Sequence, residues 1–333
     1  MKIEDFDYDL PAELVAHHPC EPRDAARLLL PGPPPLDRRV RDLPDLLRPG
    51  DLLVINDTKV VPARLFGRRG TGGRVEVLLL RREPGGDREA LVKAHRRLRP
   101  GEVVQLDGGI EMTLLGRPRG DAVWRIRLAC EGDLDRALDE HGHPPLPPYI
   151  KRPDAAIDRE RYQTVYATHP GSAAAPTAGL HFTPHLMERL IAAGIAIARV
   201  TLHVGYGTFQ PVESIEGHRM HEEEFEVGEE AARAIRERTG RLIAVGTTSA
   251  RVLETLAREG GIRASRGRTG LFLFPGEPFL AVDGLLTNFH VPRSSLLLLV
   301  CALAGRERIL AAYSHAIRER YRFFSYGDAM LIL

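Results

Sequence analysis

The sequence predicts an α/β protein, in which a mostly parallel-sheet α/β domain is interrupted by an inserted antiparallel β domain. Three observations predict this class. The apolar run at residues 52–55 lies between turn residues, which indicates a buried strand. Residues 62–149 consist of short alternating segments separated by Gly, Pro or Asp, a pattern typical of an antiparallel barrel or sandwich. Beyond residue 149, helix and strand patterns alternate, which indicates crossover connections and a mostly parallel sheet.

A length of 333 residues favours two compact units. We expect residues 1–61 and 150–333 to form a discontinuous α/β catalytic domain and residues 62–149 to form the inserted domain. The exit from the insertion, at residues 143–149, contains four prolines and is expected to act as a semi-rigid connector. The inserted domain has its predicted strands at residues 74–80, 90–94, 102–106, 111–115 and 122–128. The later part of the chain has predicted helices at 184–193, 229–238, 249–259, after Ser294 and at 306–321, and predicted strands at 195–204, 242–245 and 270–274.

Composition excludes several classes of protein. The apolar content of 43% and charged content of 27% are close to globular averages, so the chain can bury a core. Cys20, Cys130 and Cys301 are odd in number and form no C-x-x-C pair, which argues against a disulfide framework or a zinc site and favours a reducing cytoplasm. The first nine residues are acidic where an export signal would be basic and then apolar, so we expect no export signal. The most apolar run, residues 296–304, is too short to span a bilayer, so we expect no membrane association.

The charge distribution points to one basic region. The formal net charge is +1, so nucleic-acid binding requires a local patch rather than the whole surface. Residues 64–99 carry eleven Lys and Arg against four Asp and Glu. This excess of basic residues is typical of a surface that binds a phosphate backbone, although a solvated basic face has the same composition.

A loop of small residues at 171–183 is the first candidate for chemistry. Its glycines, among them Gly179, and its small residues, among them Thr177, allow backbone N–H groups to approach a ligand closely. His181 within it is a possible proton carrier. An ordinary tight loop with a structural histidine is the alternative, and composition leaves both open.

Two segments imitate known motifs without matching them. The predicted strand that ends at Val204 continues into Gly205-Tyr206-Gly207, but Gln210 and Pro211 follow where a dinucleotide site needs a glycine and a helix start. Residues 218–224 contain two histidines beside carboxylates without an H-E-x-x-H arrangement. We therefore expect no metal site.

The segment at residues 242–251 combines a buried strand, a Gly turn and Thr residues at a helix start, which is a ready anion site. Arg251 lies one turn into the helix, where it is placed to pair with a carboxylate or phosphate. Thr247 and Thr248 flank the turn. The alternative is that Thr248 only caps its own helix.

Two later segments complete the candidates. Residues 287–294 place Asn288, His290 and Arg293 in a predicted loop before a capped helix. Residues 322–328 combine aromatic side chains with Asp328. These aromatics are suited to stacking on a base, but core packing is the default explanation for Phe323 and Phe324.

Taken in order, these segments resemble the S-adenosylmethionine:tRNA ribosyltransferase-isomerase family along nearly the whole chain. The set is specific although no single motif is. Its members are DFDYDLP at 5–11, RDAARL at 23–28, NDTKVVPARL at 56–65, PPYI at 147–150, RYQTVY at 161–166, AAPTAGLHF at 174–182, TLHVG at 201–205, TNFH at 287–290 and SYGD at 325–328.

The resemblance implies an α/β domain interrupted by a β-barrel, and an enzyme of queuosine biosynthesis in the cytoplasm. The implied partner is a tRNA anticodon stem-loop with 7-aminomethyl-7-deazaguanine at the wobble position; no obligate protein partner is implied. S-adenosylmethionine is implied as a co-substrate, not a methyl donor. Its ribosyl part is transferred to the base and isomerised, which gives epoxyqueuosine and releases adenine and methionine. The sulfonium acidifies the ribose C5' hydrogens.

This reaction requires a general base near C5', a site for the methionine carboxylate, and side chains that hold the unstacked base. The candidate bases are His181, His203, His290 and Asp328. The carboxylate candidates are Arg251 with the Thr247-Thr248 turn, or Arg293. Candidate substrate-binding residues also include Thr177, Gly179, Asn288 and, for stacking on the base, Tyr206, Phe209 and Tyr326. The candidate RNA-binding residues are Arg96, Arg97 and Arg99.

Two rival functions are considered. An S-adenosylmethionine-dependent tRNA methyltransferase of the Rossmann type needs a glycine-rich turn after its first strand, whereas the run at 52–55 is followed by Asn-Asp-Thr-Lys. The second rival function is that of a non-catalytic RNA-binding protein, which differs from an enzyme of this family in that it releases no adenine.

Overall fold

The chain is described here from a computed structural model. The described residues are 1–83, 85–118, 122–205 and 212–333. They form two compact units. The first unit contains residues 1–59, 147–152 and 163–333, and the second contains residues 60–146 and 153–162.

Strands and helices alternate in the first unit, and strands dominate the second. The strands among the described residues are β1 (Arg27–Leu30), β2 (Leu36–Arg39), β3 (Leu52–Asn56), β4 (Thr58–Val60), β5 (Arg64–Arg69), β6 (Arg74–Arg82), β7 (Arg88–Ala94), β8 (Val103–Leu106), β9 (Ile110–Gly116), β10 (Val123–Ala129), β11 (His169–Ser172), β12 (Ala196–Leu202), β13 (Glu223–Val227), β14 (Leu242–Val245), β15 (Ser265–Thr269), β16 (Gly284–Asn288) and β17 (Ala329–Ile332). The helices are α1 (Leu43–Leu46), α2 (Leu134–His141), α3 (Asp158–Arg161), α4 (Pro184–Ala192), α5 (Glu229–Glu237), α6 (Thr247–Arg258), α7 (Ser295–Ala304) and α8 (Arg306–Arg318).

The first unit is built on a nine-stranded sheet in the order β15-β13-β12-β3-β14-β16-β17-β1-β2. Its centre is parallel, since β12, β3, β14 and β16 all run in one direction. Antiparallel pairs lie at both ends and between β16 and β17. The sheet is therefore mixed, and the predicted α/β class with an inserted barrel is confirmed.

Both faces of the central strands are buried. In β3, Leu52 and Val54 belong to one apolar cluster, whereas Leu53 and Ile55 belong to another. Successive side chains of a strand point to opposite faces, so the two clusters are the layers on the two sides of the sheet. A strand covered on both faces has no polar alternation, which is why residues 52–55 are continuously apolar.

The second unit contains a closed antiparallel barrel in the strand order β10-β7-β6-β5-β8-β9. Alternate residues of each strand fill its interior. In β10, for example, Trp124, Ile126 and Leu128 are buried while Arg125 and Arg127 are exposed. This period of two is the pattern that predicted an antiparallel β domain.

One predicted strand is wrong. Residues 270–274 were expected to form a strand, but the strand in this region is β15, five residues earlier. β15 pairs with β13 at the edge of the sheet, and Arg266 and Arg268 point to solvent. The apolar residues that follow pack against the core from outside the sheet. The Leu271 carbonyl oxygen accepts a hydrogen bond from the Arg251 side chain and not from a neighbouring strand.

The sheet topology creates one edge at which many loops meet. Because β12, β3, β14 and β16 are parallel, their carboxyl ends share an edge. β17 runs antiparallel to β16, so its amino end lies at that edge as well. Ligands of open α/β sheets bind at this kind of edge. No described helix is both long enough and apolar enough to cross a membrane.

Candidate active site

Asn56 links three segments at the carboxyl edge. Its amide nitrogen donates to the Leu202 carbonyl oxygen (3.0 Å) and to Thr248 Oγ1 (3.3 Å). Its amide oxygen accepts from the backbone N–H of Leu202 (3.0 Å) and of Thr58 (3.1 Å). The side chain thereby joins the ends of β3 and β12 to the start of α6. Asn56 is fully buried, so these bonds satisfy polar groups that water does not reach.

The loop of small residues packs against this edge. Ser172 Oγ accepts from the Val204 N–H (2.8 Å) and donates to the Ala174 carbonyl oxygen (2.7 Å), which fixes the start of the loop. At Gly179, a Cβ atom would lie 2.1 Å from the Tyr166 hydroxyl oxygen, so only glycine fits. Gly179 lies in a short 3-10 helix, Thr177–His181. Thr177 is the first residue of this helix and is half-buried.

His203 follows β12 directly and is half-buried. Its Nδ1 lies 2.8 Å from Thr58 Oγ1, and its ring packs on Gly171, where a Cβ atom would lie 2.9 Å from the imidazole. No hydrogen bond from the described residues reaches Nε2. Burial lowers the pKa of His203, so the imidazole is neutral at neutral pH. Among the predicted bases, it combines a fixed ring with an open nitrogen.

Asp57, next to this histidine, is held by hydroxyl groups. Its carboxylate accepts from Thr201 Oγ1 at 2.6 Å and from Thr168 Oγ1 at 3.1 Å. The Nε2 atom of His169 lies 3.7 Å away. Asp57 is only 5% exposed, so these donors compensate its burial.

His181 is enclosed by backbone carbonyl groups. Nδ1 lies 3.1 Å from the Ala178 oxygen and Nε2 lies 2.9 Å from the Gly327 oxygen. Burial lowers its pKa below the ordinary value. Both ring nitrogens thus face acceptors of the protein itself, and the ring connects the loop of small residues to the segment before β17.

His290 is buried and lies two residues after the end of β16. Its Nε2 contacts Thr287 Oγ1 at 2.8 Å, and its backbone N–H donates to the Tyr313 hydroxyl at 2.9 Å. Burial lowers the pKa of His290 to about 3, so the imidazole stays neutral.

Asp328 is a structural clamp in this arrangement. Its carboxylate accepts from the backbone N–H of Arg27 (3.0 Å) and of Arg322 (2.8 Å), and Arg27 Nε lies 3.3 Å away. These bonds hold the start of β1 against the start of β17. Both carboxylate oxygens of Asp328 accept hydrogen bonds from the protein, and its side chain is only 3% exposed.

Arg251 directs all three guanidinium nitrogens to protein groups. Nη1 pairs with the Glu223 carboxylate, Nε donates to the Leu271 oxygen (3.1 Å), and Nη2 donates to the Thr269 oxygen (3.2 Å). Glu223 in turn accepts from the Gly205 N–H at 2.7 Å. The pair therefore anchors the chain two residues after His203, and each nitrogen of the guanidinium contacts a protein group.

The start of α6 lies beside the Asn56 network. The preceding Gly246 has a φ of +86°, a conformation that favours glycine. No side chain of the described residues caps this end of the helix, so the first backbone N–H groups at Thr247 and Thr248 lack an internal partner. Unpaired N–H groups and the helix dipole together suit an anion.

Arg293 is exposed and pairs with Asp7. The Arg293 backbone N–H donates to the Phe6 oxygen (3.1 Å), and the Tyr8 hydroxyl donates to the His290 carbonyl oxygen. The motif at residues 5–11 thus fastens the N-terminal segment to the loop after β16.

The remaining substrate-binding candidates divide into two groups. Asn288 and Tyr326 are buried, and Asn288 donates to the Phe324 carbonyl oxygen at 3.1 Å while its own side-chain oxygen has no partner among the described residues. Asn288 is the last residue of β16, whereas the sequence predicted that it lies in a loop. Tyr206 and Phe209 lie outside the described residues.

In the residues that the structure covers, no group of three or more His, Cys, Asp or Glu side chains is arranged to hold a metal ion.

Comparison with known proteins matches the chain to one family from end to end. The family model described as "Queuosine biosynthesis protein" matches residues 3–332. The chain belongs to this family.

Members of the queuosine biosynthesis family that resemble the chain carry one enzyme name. The protein named S-adenosylmethionine:tRNA ribosyltransferase-isomerase from Anaeromyxobacter sp. strain Fw109-5 is 54% identical, over 100% of this chain and 99% of its own length. The protein of the same name from Pelotomaculum thermopropionicum is 51% identical over 100% of both chains. The crystal structure of S-adenosylmethionine tRNA ribosyltransferase from Thermotoga maritima is 38% identical, with a TM-score of 0.57 over 99% of this chain and 100% of that one. The resemblance found in the sequence motifs is therefore confirmed.

The structure adds several residues to the candidate site that the sequence analysis did not include. The network of Asn56, Asp57 and Thr58 and the carboxylate of Glu223 were not among the predicted site residues. The motif at 56–65 signalled Asn56 to Thr58 as part of the family set, but it assigned them no role. Glu223 lies in a glutamate-rich stretch that gives no such signal.

The candidate RNA-binding residues lie in the barrel unit. Arg96, Arg97 and Arg99 are exposed, whereas Leu98 between them is buried. Arg69 donates to the carbonyl oxygens of Arg96 and Arg97 (both 3.4 Å) and pairs with Glu102 at 2.5 Å. Arg69, itself paired with Glu102, thereby holds the backbone of the loop that carries the three arginines. Among the described residues, no ion pair involves Arg96, Arg97 or Arg99.

The burial of His290 predicts a pH-dependent stability. Between pH 6.5, the ordinary pKa of histidine, and about 3, the unfolded chain binds a proton at this position that the folded chain does not bind. Folding stability therefore falls as the pH falls through this window. Replacing His290 with Asn should reduce the loss of stability between pH 7.5 and 5 by about 2 kcal/mol. Urea unfolding followed by circular dichroism measures this, with His185→Asn, an exposed position in α4, as the control. Equal slopes in all three proteins would contradict it.

Proposed function

We propose that the chain is an S-adenosylmethionine:tRNA ribosyltransferase-isomerase that acts on 7-aminomethyl-7-deazaguanine at the wobble position of tRNA. The ribosyl part of S-adenosylmethionine is transferred to the aminomethyl group and isomerised to an epoxycyclopentane, with release of adenine and methionine. The observation that carries the proposal is full-length identity above 50% with relatives of this name, which extends through all the segments of the candidate site. We place the reaction in the cytoplasm.

Within this function, we assign proton abstraction at C5' to His203. The sulfonium acidifies that position, so a neutral imidazole suffices as the base. His203 is supported by its lowered pKa and by its Nε2, which no hydrogen bond of the described residues occupies. His181, His290 and Asp328 are the other candidates, and each is enclosed by protein groups.

The methionine carboxylate is assigned to the start of α6. Arg251 uses its three nitrogens within the protein, so the N–H groups at Thr247 and Thr248 are better placed to bind an anion. Arg251 acts as a positioning residue, because its partner Glu223 holds the chain next to His203. Arg293, exposed and paired with Asp7, is the alternative site for the carboxylate.

The loop of small residues, with Thr177 and Gly179, is assigned to cofactor contact through its backbone. Asn288 offers a side-chain oxygen that has no partner among the described residues as a hydrogen-bond acceptor. The unstacked base is assigned to the aromatic residues Tyr206, Phe209 and Tyr326.

Binding of the tRNA backbone is assigned to the barrel loop that carries Arg96, Arg97 and Arg99. Three exposed guanidinium groups that form no ion pair with the described residues are suited to phosphate oxygens. The loop backbone is held by Arg69, so the cations are presented on a fixed support.

The proposed activity predicts that free adenine appears only when both substrates are present. The chain should release adenine and methionine together with modified tRNA when it is mixed with S-adenosylmethionine and tRNA that carries the 7-aminomethyl base. Chromatography with adenine-labelled cofactor measures the products, and tRNA with unmodified guanine is the control. Formation of S-adenosylhomocysteine instead would indicate a methyltransferase, and tRNA binding without any product would indicate a non-catalytic binding protein.

The assigned base predicts that His203→Ala slows adenine release by about 10²- to 10⁴-fold, the usual contribution of a general base. Loss of a C5' deuterium label from the cofactor should slow equally, while cofactor binding and the circular dichroism spectrum stay unchanged. His185→Ala, at an exposed position in α4, is the matched control and should keep the normal rate.

His181→Ala, made in parallel, should lower stability more than it slows deuterium loss, because both ring nitrogens of His181 contact the backbone. A normal rate in His203→Ala would pass the role of base to His181, His290 or Asp328.

The assigned RNA surface predicts that replacing Arg96, Arg97 and Arg99 together with Ala weakens tRNA binding. The slope of log K against log salt should become shallower by about 2 to 3, because each lost phosphate contact removes about 0.9 from the slope. Fluorescence anisotropy at several salt concentrations measures this. The triple replacement of the exposed Arg233, Arg236 and Arg263 in the other unit changes the net charge equally and should leave the slope unchanged. Equal slopes for both variants would exclude the loop as the binding surface.

A further inference from the structure

The hydroxyl group of Thr58 lies between two groups of different hydrogen-bonding character. Its Oγ1 is 2.8 Å from His203 Nδ1 on one side and 3.5 Å from the His169 carbonyl oxygen on the other. The backbone N–H of Thr58 donates to the Asn56 side chain at 3.1 Å. Thr58 is fully buried, so its position is set by the strand ends and not by solvent.

These neighbours determine the direction of the hydrogen bonds. A carbonyl oxygen only accepts, so the contact with His169 exists only if the Thr58 hydroxyl donates to it. The hydroxyl oxygen then accepts from Nδ1–H of His203. The opposite arrangement, in which Thr58 donates to Nδ1, forms one bond and leaves the carbonyl oxygen facing a lone pair. The first arrangement satisfies both contacts and places the imidazole proton on Nδ1.

A neutral imidazole carries one N–H, so a proton on Nδ1 leaves the lone pair on Nε2. Nε2 is the ring nitrogen that no hydrogen bond of the described residues occupies. Gly171 packs against the ring, where a Cβ atom would lie 2.9 Å from both Cε1 and Nδ1. The ring is thus fixed in orientation as well as in tautomer.

We propose that Thr58 is a positioning residue that holds His203 as the Nδ1–H tautomer and thereby makes Nε2 the atom that accepts the substrate proton. This inference rests on the proposed function of His203. In the step concerned, the C5'–H bond breaks, its electron pair stays on C5' beside the sulfonium, and the proton forms a new bond to Nε2. The resulting imidazolium keeps its Nδ1–H bond to Thr58.

The surroundings of His203 contain charges of both signs. Asp57, Glu224 and Glu226 favour its protonated form, whereas His169 disfavours it. None of these four groups hydrogen-bonds to the ring in place of Thr58. A change at Thr58 therefore alters the tautomer without removing a charge from the site.

The test compares Thr58→Val, which removes the hydroxyl but keeps the shape, with Thr58→Ser, which keeps the hydroxyl. Thr255→Val is the matched control, because Thr255 is a buried threonine whose hydroxyl contacts Thr269 at 2.7 Å and not the site. ¹⁵N NMR of histidine-labelled full-length protein reports the tautomer of His203, with His203→Ala used to assign its signals. Adenine-release kinetics across pH report the chemistry.

In Thr58→Val, we expect the Nε2–H tautomer to become the major form and kcat to fall about tenfold to a hundredfold, as for a misplaced catalytic group. KM should change little, and Thr58→Ser and Thr255→Val should resemble the unmodified protein in tautomer, kcat and pH profile. An unchanged tautomer in Thr58→Val overturns the inference. If that variant is also fully active while His203→Ala is inactive, His203 remains the base without help from Thr58. If His203→Ala is itself active, the assigned base and its positioning residue fall together.

Discussion

The side-chain amide of Asn56 is the interaction on which the candidate site depends. It bonds with its oxygen and its nitrogen to the last residue of β12, with its oxygen to the first residue of β4, and with its nitrogen to the start of α6. An amide offers donors and an acceptor in one plane, so it can join strand ends whose own backbone pairing has stopped. His203, Thr58 and the start of α6 all lie at this junction.

Several charged groups near this edge are already paired or hydrogen-bonded within the protein. Arg251 pairs with Glu223, Asp328 is held by Arg27 and Arg322, and Asp57 accepts bonds from two threonine hydroxyls. A buried charge without partners is costly, so these bonds are a condition of burying them at all. Among the predicted bases, His203 is the one whose Nε2 accepts no hydrogen bond from the described residues. The same bonds make the surrounding framework rigid, which favours a catalytic group that must hold one orientation.

The sequence predicted the fold class well because burial leaves a direct record in residue patterns. The continuous apolar run at 52–55 reflects a strand covered on both faces, and the alternation at 122–128 reflects a barrel strand with one wet face. β15 was misplaced because it is a polar edge strand, whose residues Ser265 to Thr269 lack either pattern. Its neighbours at 270–274 are apolar for a different reason, since they pack on the core from a loop.

For the site, the sequence by itself determined the family, through the order of its motifs, and the set of histidines, arginines and small-residue loops from which the candidates were drawn. It gave no means of ranking them, because burial and hydrogen-bond partners depend on residues far apart in the chain. His181 meets Gly327, and His203 meets Thr58, across separations of 146 and 145 residues. Only the tertiary structure decided that Arg251 pairs with Glu223, that His290 is buried, and that Nε2 of His203 has no hydrogen bond from the described residues, because each of these facts arises where separate strands end at one edge of the sheet.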